Sequence, residues 1–274
     1  MILLKKLAKN ITWQILRPFH NNHFWPMSVL NGPAKGVKLN LDVRVNGAYW
    51  IGNYDKWILD RLQLQRWLKP GGVAWDCGAY VGYYASIFRT IVGTTGKVEV
   101  FEASAKNHAR LAELPKINSW QNIIIHNLAV GSDHAVIKFA GDLGGSSGPA
   151  GMSKDVPLNT TVESVQCCGV DELIYERGIS EPDFIKFDLE TAEEFALHNG
   201  HVLFSTKRPV ILLELHGLAV LPAVANFLKK YNYQGWNILE FDDVKAQPLL
   251  DEQDLRSRIT SNTIVCLPTE RERI

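Results

Sequence analysis

A chain of 274 residues, 46% of them hydrophobic and 10% aromatic, can bury one sizeable core and is too apolar for disorder. Its 29 basic and 29 acidic residues cancel, which argues against a protein that coats nucleic-acid phosphates over a broad cationic face. No window approaches the ~18 consecutive apolar residues of a membrane-spanning helix.

The balance hides an asymmetry. Residues 1–41 hold Lys5, Lys6, Lys9, Arg17, Lys35 and Lys38 and no acidic residue, so the remainder of the chain is net negative. Leu3, Leu4, Leu7, Ala8 and Ile11 share one helical face, with Lys5, Lys6 and Lys9 opposite and Trp13 and Leu16 breaking the polar side. Residues 1–17 therefore suit a helix on an anionic membrane surface, or one docked on its own domain or a partner subunit. The lysines interrupt the apolar stretch and no small-residue cleavage site follows, unlike a secretory signal. Residues 37–45 alternate like a strand, and residues 55–68 have a helical pattern stopped by Pro70-Gly71-Gly72. Residues 1–69 are thus expected to form an extension packed on a core of residues 70–274.

From residue 73 short apolar runs alternate with helical patterns, the mark of a mostly parallel α/β sheet wound on both faces. Strands are expected at 73–77, 97–102, 122–126, 184–189 and 210–214, with helices to about 92 and over 105–117, 192–200 and 218–231. Residues 236–241 and 263–267 suit a closing antiparallel pair. Residues 136–140 and 163–168 read as a hairpin whose connection, 141–159, is rich in Gly, Ser and Pro. Cys77, Cys167, Cys168 and Cys266 include no C-x-x-C pair, so reduced, buried thiols in the cytoplasm are expected and no metal site is assigned.

The strongest local signal is Asp76-Cys77-Gly78-Ala79-Tyr80-Val81-Gly82, where a strand turns into a helix. Glycine lets the backbone turn sharply, and a helix start is expected to offer unpaired N–H groups to a ligand. The pattern lacks the middle glycine of a dinucleotide fingerprint, and the leading Asp76 suits a cationic group better than a pyrophosphate. Glu102 ends the second core strand, where a carboxylate accepts both hydroxyls of a ribose. S-adenosylmethionine carries both features. A third cluster, Asp183-Phe184-Ile185-Lys186-Phe187-Asp188-Leu189-Glu190, delivers Asp188 and Glu190 to the carboxyl edge of the sheet, where open α/β sheets bind ligands. Glu193 is expected in the first turn of the helix that follows, and the next strand ends at Glu214-Leu215-His216.

Together, D-C-G-A-Y-V-G-Y-Y at 76–84, F-E at 101–102, N-L-A-V at 127–130, Val170-Asp171-Glu172-Leu173, P-D-F-I-K-F-D-L-E at 182–190 and L-L-E-L-H ending at 216 resemble the FkbM-like family of S-adenosylmethionine-dependent methyltransferases. The resemblance runs over about 70–235. It implies a class I methyltransferase fold and O-methylation of a hydroxyl on a sugar, glycan or small natural product. Two positions depart from it: Thr191 stands where the family usually has Gly, and Tyr80 where it often has Asn. On this reading Asp76, Gly78, Ala79, Tyr80 and Gly82 hold the methionine part of the cofactor, Glu102 the ribose, and Ala103, Asn127 and Leu128 the adenine surroundings. His216, Glu190 and Asp188 are the candidate bases, with their order left open. The rival readings are a non-catalytic binding module, a nicotinamide-dependent oxidoreductase and an RNA methyltransferase.

Overall fold

The computed structural model describes residues 24–42, 44–140, 148–149 and 162–273. The amphipathic 1–17 pattern and nearly all of the 141–159 connection lie outside the described residues. The described residues open with an antiparallel pair, β1 (Trp25–Ser28) and β2 (Lys38–Leu41), then α1 (Gly47–Ile51) and α2 (Lys56–Leu62). The strand expected over 37–45 is thus only four residues long. The helix expected over 55–68 stops at Leu62, because Gln63 turns left-handed (φ 46°) into a short 3₁₀ turn.

The core follows as β3 (Val73–Cys77), α3 (Tyr83–Val92), β4 (Lys97–Phe101), α4 (Ala105–Leu111), α5 (Leu114–Asn118) and β5 (Ile123–His126). A small sheet comes next, built from β6 (Ala129–Val130), β7 (Ala135–Ala140), β8 (Gly148–Pro149) and β9 (Val162–Cys168). The chain then runs through α6 (Val170–Tyr175), β10 (Phe184–Phe187), α7 (Glu193–His198), α8 (His201–Thr206), β11 (Val210–Glu214), α9 (Leu221–Lys230), β12 (Tyr233–Asn237), α10 (Glu252–Arg258) and β13 (Thr263–Pro268). The expected helix at 105–117 is split in two, with Pro115 in the first turn of the second piece.

The main sheet has the order β12-β13-β11-β10-β3-β4-β5. All neighbouring pairs are parallel except those made by β13, which runs against β11 and β12. This is the class I methyltransferase arrangement expected from the sequence. Strands buried on both faces read as continuous apolar runs, which is why they were visible without alternation. Side chains still divide by parity. Trp75, Phe101, Ile185, Phe187 and Leu213 pack on one face with Phe204 and Phe227. Ala74, Val98, Val100, Phe184 and Leu212 pack on the other with Phe88 of α3 and Leu39, Leu41, Ile58 and Leu62 of the extension. The chain leaves β3 toward β4 and β5 on one side and returns to β10 on the other. That reversal opens a crevice beyond the carboxyl ends of β3 and β10.

Candidate functional site

The two strand ends that frame the crevice touch backbone to backbone. Gly78 has φ +86°, and a Cβ there would lie 1.8 Å from the Asp188 carbonyl oxygen. The Asp188 N–H donates to Cys77 O at 3.1 Å. At Gly82 (φ +79°) a Cβ would meet methyl groups of Leu111 and Leu114 at 2.8 Å, so this glycine serves the packing of α3 on α4 and α5.

Four N–H groups of the turn already have partners within the protein. Gly78 and Ala79 both donate to Phe101 O (3.0 and 3.3 Å), Gly82 donates to Ala79 O (2.8 Å) and Tyr80 donates to Glu102 Oε2 (2.9 Å). The end of β4 lies against the turn and accepts from Gly78, Ala79 and Tyr80, a tertiary contact that strand-to-helix spacing does not reveal.

Glu102 is buried and accepts a second bond at Oε1 from the Ser104 N–H (2.9 Å). Burial pushes its pKa above the ordinary carboxylate value, opposed by these donors and by the nearby Arg110. The Asn107 side chain also hydrogen-bonds this carboxylate, which leaves about one of its roughly four acceptor sites for a ligand hydroxyl. Asn127 faces this loop from β5's end, its Nδ2 donating to Glu102 O and Ala103 O at 3.0 and 3.2 Å. Asn127 therefore frames the position of Glu102 and Ala103.

Beyond β10 the strand stops at Phe187, earlier than expected, because Glu190 and Thr191 turn left-handed (φ +50° and +88°). The turn still gathers three predicted residues. His216 Nε2 lies 3.6 Å from Asp188 Oδ1 and 3.5 Å from Glu190 Oε2, and its Nδ1 is 2.6 Å from Glu193 Oε1. Burial alone would lower the His216 pKa; the Glu193 hydrogen bond and the charges of Glu193, Glu190 and Asp188 override it and raise the pKa to about 9. His216 is thus an imidazolium at neutral pH. Burial pushes Glu190 up as well, offset in part by His216.

A layer of buried charge supports the cluster. Asp76 and Lys186 are cross-strand partners on β3 and β10. Lys186 Nζ donates to Asp188 Oδ2 at 2.7 Å and sits 5.0 Å from the Tyr84 ring centre. Burial disfavours its charge, but Asp188, Asp76 and Glu214 hold it protonated. Asp76 is 1% exposed; its Oδ2 accepts the Ala85 N–H of α3 (2.8 Å), and burial raises its pKa to about 6. Glu214 is pushed to about 7, first by burial and then by Asp188. Asp188, Glu214 and His216 each offer one ligand atom within 4.8 Å of the others, a donor set able to take a divalent cation.

Asp188 and Glu190 border a cleft whose space, counted out into open solvent, is about 720 Å³. Of the predicted residues, Gly78, Tyr80, Glu102, Ala103, Leu128, Asp188 and Glu190 line it. Asp76, Ala79, Gly82, Asn127 and His216 are not among its lining residues, and Asn127 is exposed. Two residues that sequence reasoning missed complete it: Tyr49 and Tyr54, stacked with ring centres 4.0 Å apart. They come from α1 and the loop after it, and Asn46 ties the same segment to the core by donating to Tyr80 Oη at 3.0 Å. The only signal for them was a cluster of aromatic residues at 49–54, outside every recognised motif.

Among solved structures, the chain is similar to the FkbM methyltransferase of Methylobacillus flagellatus (17% identity, TM-score 0.46, 71% of this chain and 43% of that one). It is also similar to precorrin-6y C5,15-methyltransferase of Geobacter metallireducens (12%, 0.41, 76% and 82%) and to Aeropyrum pernix fibrillarin with natively bound S-adenosyl-L-methionine (13%, 0.38, 76% and 73%). The chain thus spans less than half the length of the Methylobacillus protein. No curated protein matches it in sequence. Residues 76–234 match the methyltransferase FkbM domain, a stretch that begins at Asp76 and ends in β12, taking in Glu102, Asp188, Glu190 and His216 on the way. Because that match covers more than half of the sequence, the chain belongs to the FkbM methyltransferase family, whose methyl donor is S-adenosylmethionine.

Proposed function

We propose that the chain methylates a hydroxyl oxygen of a sugar, a glycan or a small natural product. The observation that carries this reading is one cleft lined by buried Glu102 together with Asp188, Glu190, Tyr49 and Tyr54. The cofactor fits on two counts. Gly78 puts no side chain into the cleft it lines, and Glu102 presents a buried carboxylate with an acceptor site to spare. Glu102 would hold the ribose hydroxyls, and Ala103 and Leu128 the adenine. Gly78 and Tyr80 would border the methionine part. Asp76, Ala79, Gly82 and Asn127 act indirectly, by fixing the turn and the loop.

Bound S-adenosylmethionine supplies a methyl group that is already activated, so the protein's task is alignment and proton removal. Alignment of two reactants accounts for about 7–11 kcal/mol in well-oriented systems, and a positioned base adds roughly 10²–10⁴-fold. Cationic His216 cannot accept a proton until it has lost its own. The carboxylates it holds can, and Glu190 lines the cleft. Glu190 is therefore assigned the proton of the acceptor hydroxyl, with Asp188 beside it and His216 as the group that orients both. The acceptor oxygen gains the methyl carbon as the sulfur–carbon bond breaks, and the hydroxyl proton goes to Glu190. Four buried, unbridged thiols support a reducing compartment, the cytoplasm.

The test is release of S-adenosylhomocysteine in the presence of a panel of hydroxyl-bearing saccharides, with calorimetric titration of S-adenosylhomocysteine in parallel. Binding with turnover on a saccharide, lost in Glu190→Gln, is expected. Binding without turnover on any hydroxyl acceptor would favour a non-catalytic module.

A further inference from the structure

The extension lends two rings to the cleft from outside the stretch that matches the family, which begins at Asp76. Tyr49 and Tyr54 are half-buried and stacked, with ring centres 4.0 Å apart and planes 25° from parallel. Buried Tyr83 of α3 meets both edge-on, at 5.7 and 5.9 Å, so an aromatic surface is in place before any ligand arrives. Asp188 and Glu214 act electrostatically on Tyr54, and Asp55, next in the chain, ties the segment to α3 by accepting from Tyr84 Oη at 3.1 Å. Among the described residues, Glu102, Asp188 and Glu190 line the cleft and no lysine or arginine does. The cations around it are already engaged: Lys186 by Asp188, His216 by Glu193, and Arg110 by Tyr80 O and Asn107. Asp55, Asp76 and Glu214 add further carboxylates near that set.

We propose that Tyr49 and Tyr54 form the specificity-determining platform of this cleft, on which an uncharged, hydroxyl-bearing saturated ring stacks in preference to a phosphorylated or carboxylated one. The C–H groups of such a ring carry slight positive charge and suit the negative face of an aromatic ring. Tyrosine supplies that contact area at little entropic cost, having few rotatable bonds. A phosphate or carboxylate on the acceptor would enter a region already rich in carboxylates, with no cation among the described lining residues to receive it. Like-charge contact of that kind rejects the wrong ligand. Asp188, which acts on Tyr54, stands beside the group assigned the acceptor's proton, so the rings are assigned to the acceptor and not to the ribose at Glu102. The inference rests on the methyl-transfer reading of the cleft and adds which acceptors that cleft takes.

The test titrates the full chain, loaded with S-adenosylhomocysteine, with neutral methyl glycosides of glucose, galactose and mannose and with their uronic-acid and phosphorylated counterparts, followed by saturation-transfer NMR. At least one neutral glycoside is expected to bind, and its anionic counterparts about tenfold or more weakly. Tyr49→Leu and Tyr54→Leu should each weaken the neutral ligand about tenfold, and Tyr49→Phe, which restores the ring, should recover most of that loss. Calorimetry should give both Leu variants an S-adenosylhomocysteine affinity close to the parent's, which also shows that the fold is kept. Absence of binding by every neutral glycoside, equally tight binding of the anionic counterparts, or Leu variants that bind like the parent would overturn the proposal. So would a matching loss of S-adenosylhomocysteine affinity in those variants, because the rings would then serve the cofactor. Glycoside binding as expected, without conversion of S-adenosylmethionine to S-adenosylhomocysteine, would sink methyl transfer and leave the platform. Turnover on a glycoside with an unchanged KM in Tyr49→Leu would do the reverse.

Discussion

His216 and Glu193 meet at 2.6 Å, with the Glu193 side chain fully enclosed and His216 drawn between it and the carboxylates of Asp188 and Glu190. This pairing raises the folded-state pKa of His216 to about 9 from an ordinary value of 6.5. A raised pKa means that the folded state holds the proton more tightly. The stabilisation from His216 is therefore complete below about pH 6.5 and is lost as pH rises through about 9. Glu193→Gln should return the His216 titration toward its ordinary value and flatten that alkaline loss. Proton NMR of the imidazole, followed against pH in both proteins, checks it. An unchanged His216 titration in the variant would show that Glu193 is not the controlling partner.

Lys186 is the cation between buried Asp76 and part-buried Asp188, so its removal takes the facing cation from Asp76 and leaves Asp188 only His216, at 3.6 Å. Breaking a buried pair from one side typically costs about 3–5 kcal/mol. Lys186→Met should lose stability of that order, read as a lower midpoint in urea. The loss should be smaller at pH 5 than at pH 8. Asp76 has its pKa raised to about 6 even with Lys186 present, so at pH 5 it is largely protonated and has less need of a cation. A larger loss at pH 5 would contradict this arrangement.

Thr191 sits at φ +88°, where a β-branched residue is strained, and it follows Glu190 at φ +50°. Such conformations cost of order 1–3 kcal/mol, against roughly 0.5–1 kcal/mol of extra chain entropy for glycine. Thr191→Gly should therefore stabilise the protein by about 1 kcal/mol, while Thr191→Ala, which keeps a Cβ, should not. Equilibrium denaturation of the two variants separates them. A destabilised glycine variant would mean that the Thr191 side chain, not backbone strain, governs this turn.

The fold was legible because its core strands are buried on both faces and bounded by Gly, Pro and charged residues. The site was legible in part. Asp188, Glu190 and His216 could be placed at the sheet edge because each directly follows an apolar run. That Lys186 faces Asp76 could not be read, because it depends on the register of β10 against β3, more than a hundred residues apart in the chain. The donors at Gly78, Ala79 and Tyr80 looked available for a ligand because the carbonyl of Phe101 and the carboxylate of Glu102 reach them only after the sheet forms. Tyr49 and Tyr54 were hidden for a similar reason: the extension folds over the cleft, and no local periodicity announces that.

The division between cleft-lining residues and those outside the lining leads to a ranking of cofactor affinities. Glu102 faces the cleft and accepts from Tyr80 and Ser104, so Glu102→Gln removes a charged acceptor from the ligand and turns an N–H group toward those donors. Hydrogen bonds to charged groups contribute about 1.5–3 kcal/mol, so S-adenosylhomocysteine should bind more weakly by about tenfold to a hundredfold. Asn127→Ala loses only the two bonds that frame the Glu102–Ala103 backbone and should weaken binding less, by about fivefold, through loosening of the loop. Calorimetric titration of both variants with S-adenosylhomocysteine measures the order directly. If Asn127→Ala proved the more damaging, the side chain of Asn127 would itself belong to the ligand's surroundings and the lining would have to be redrawn to include it.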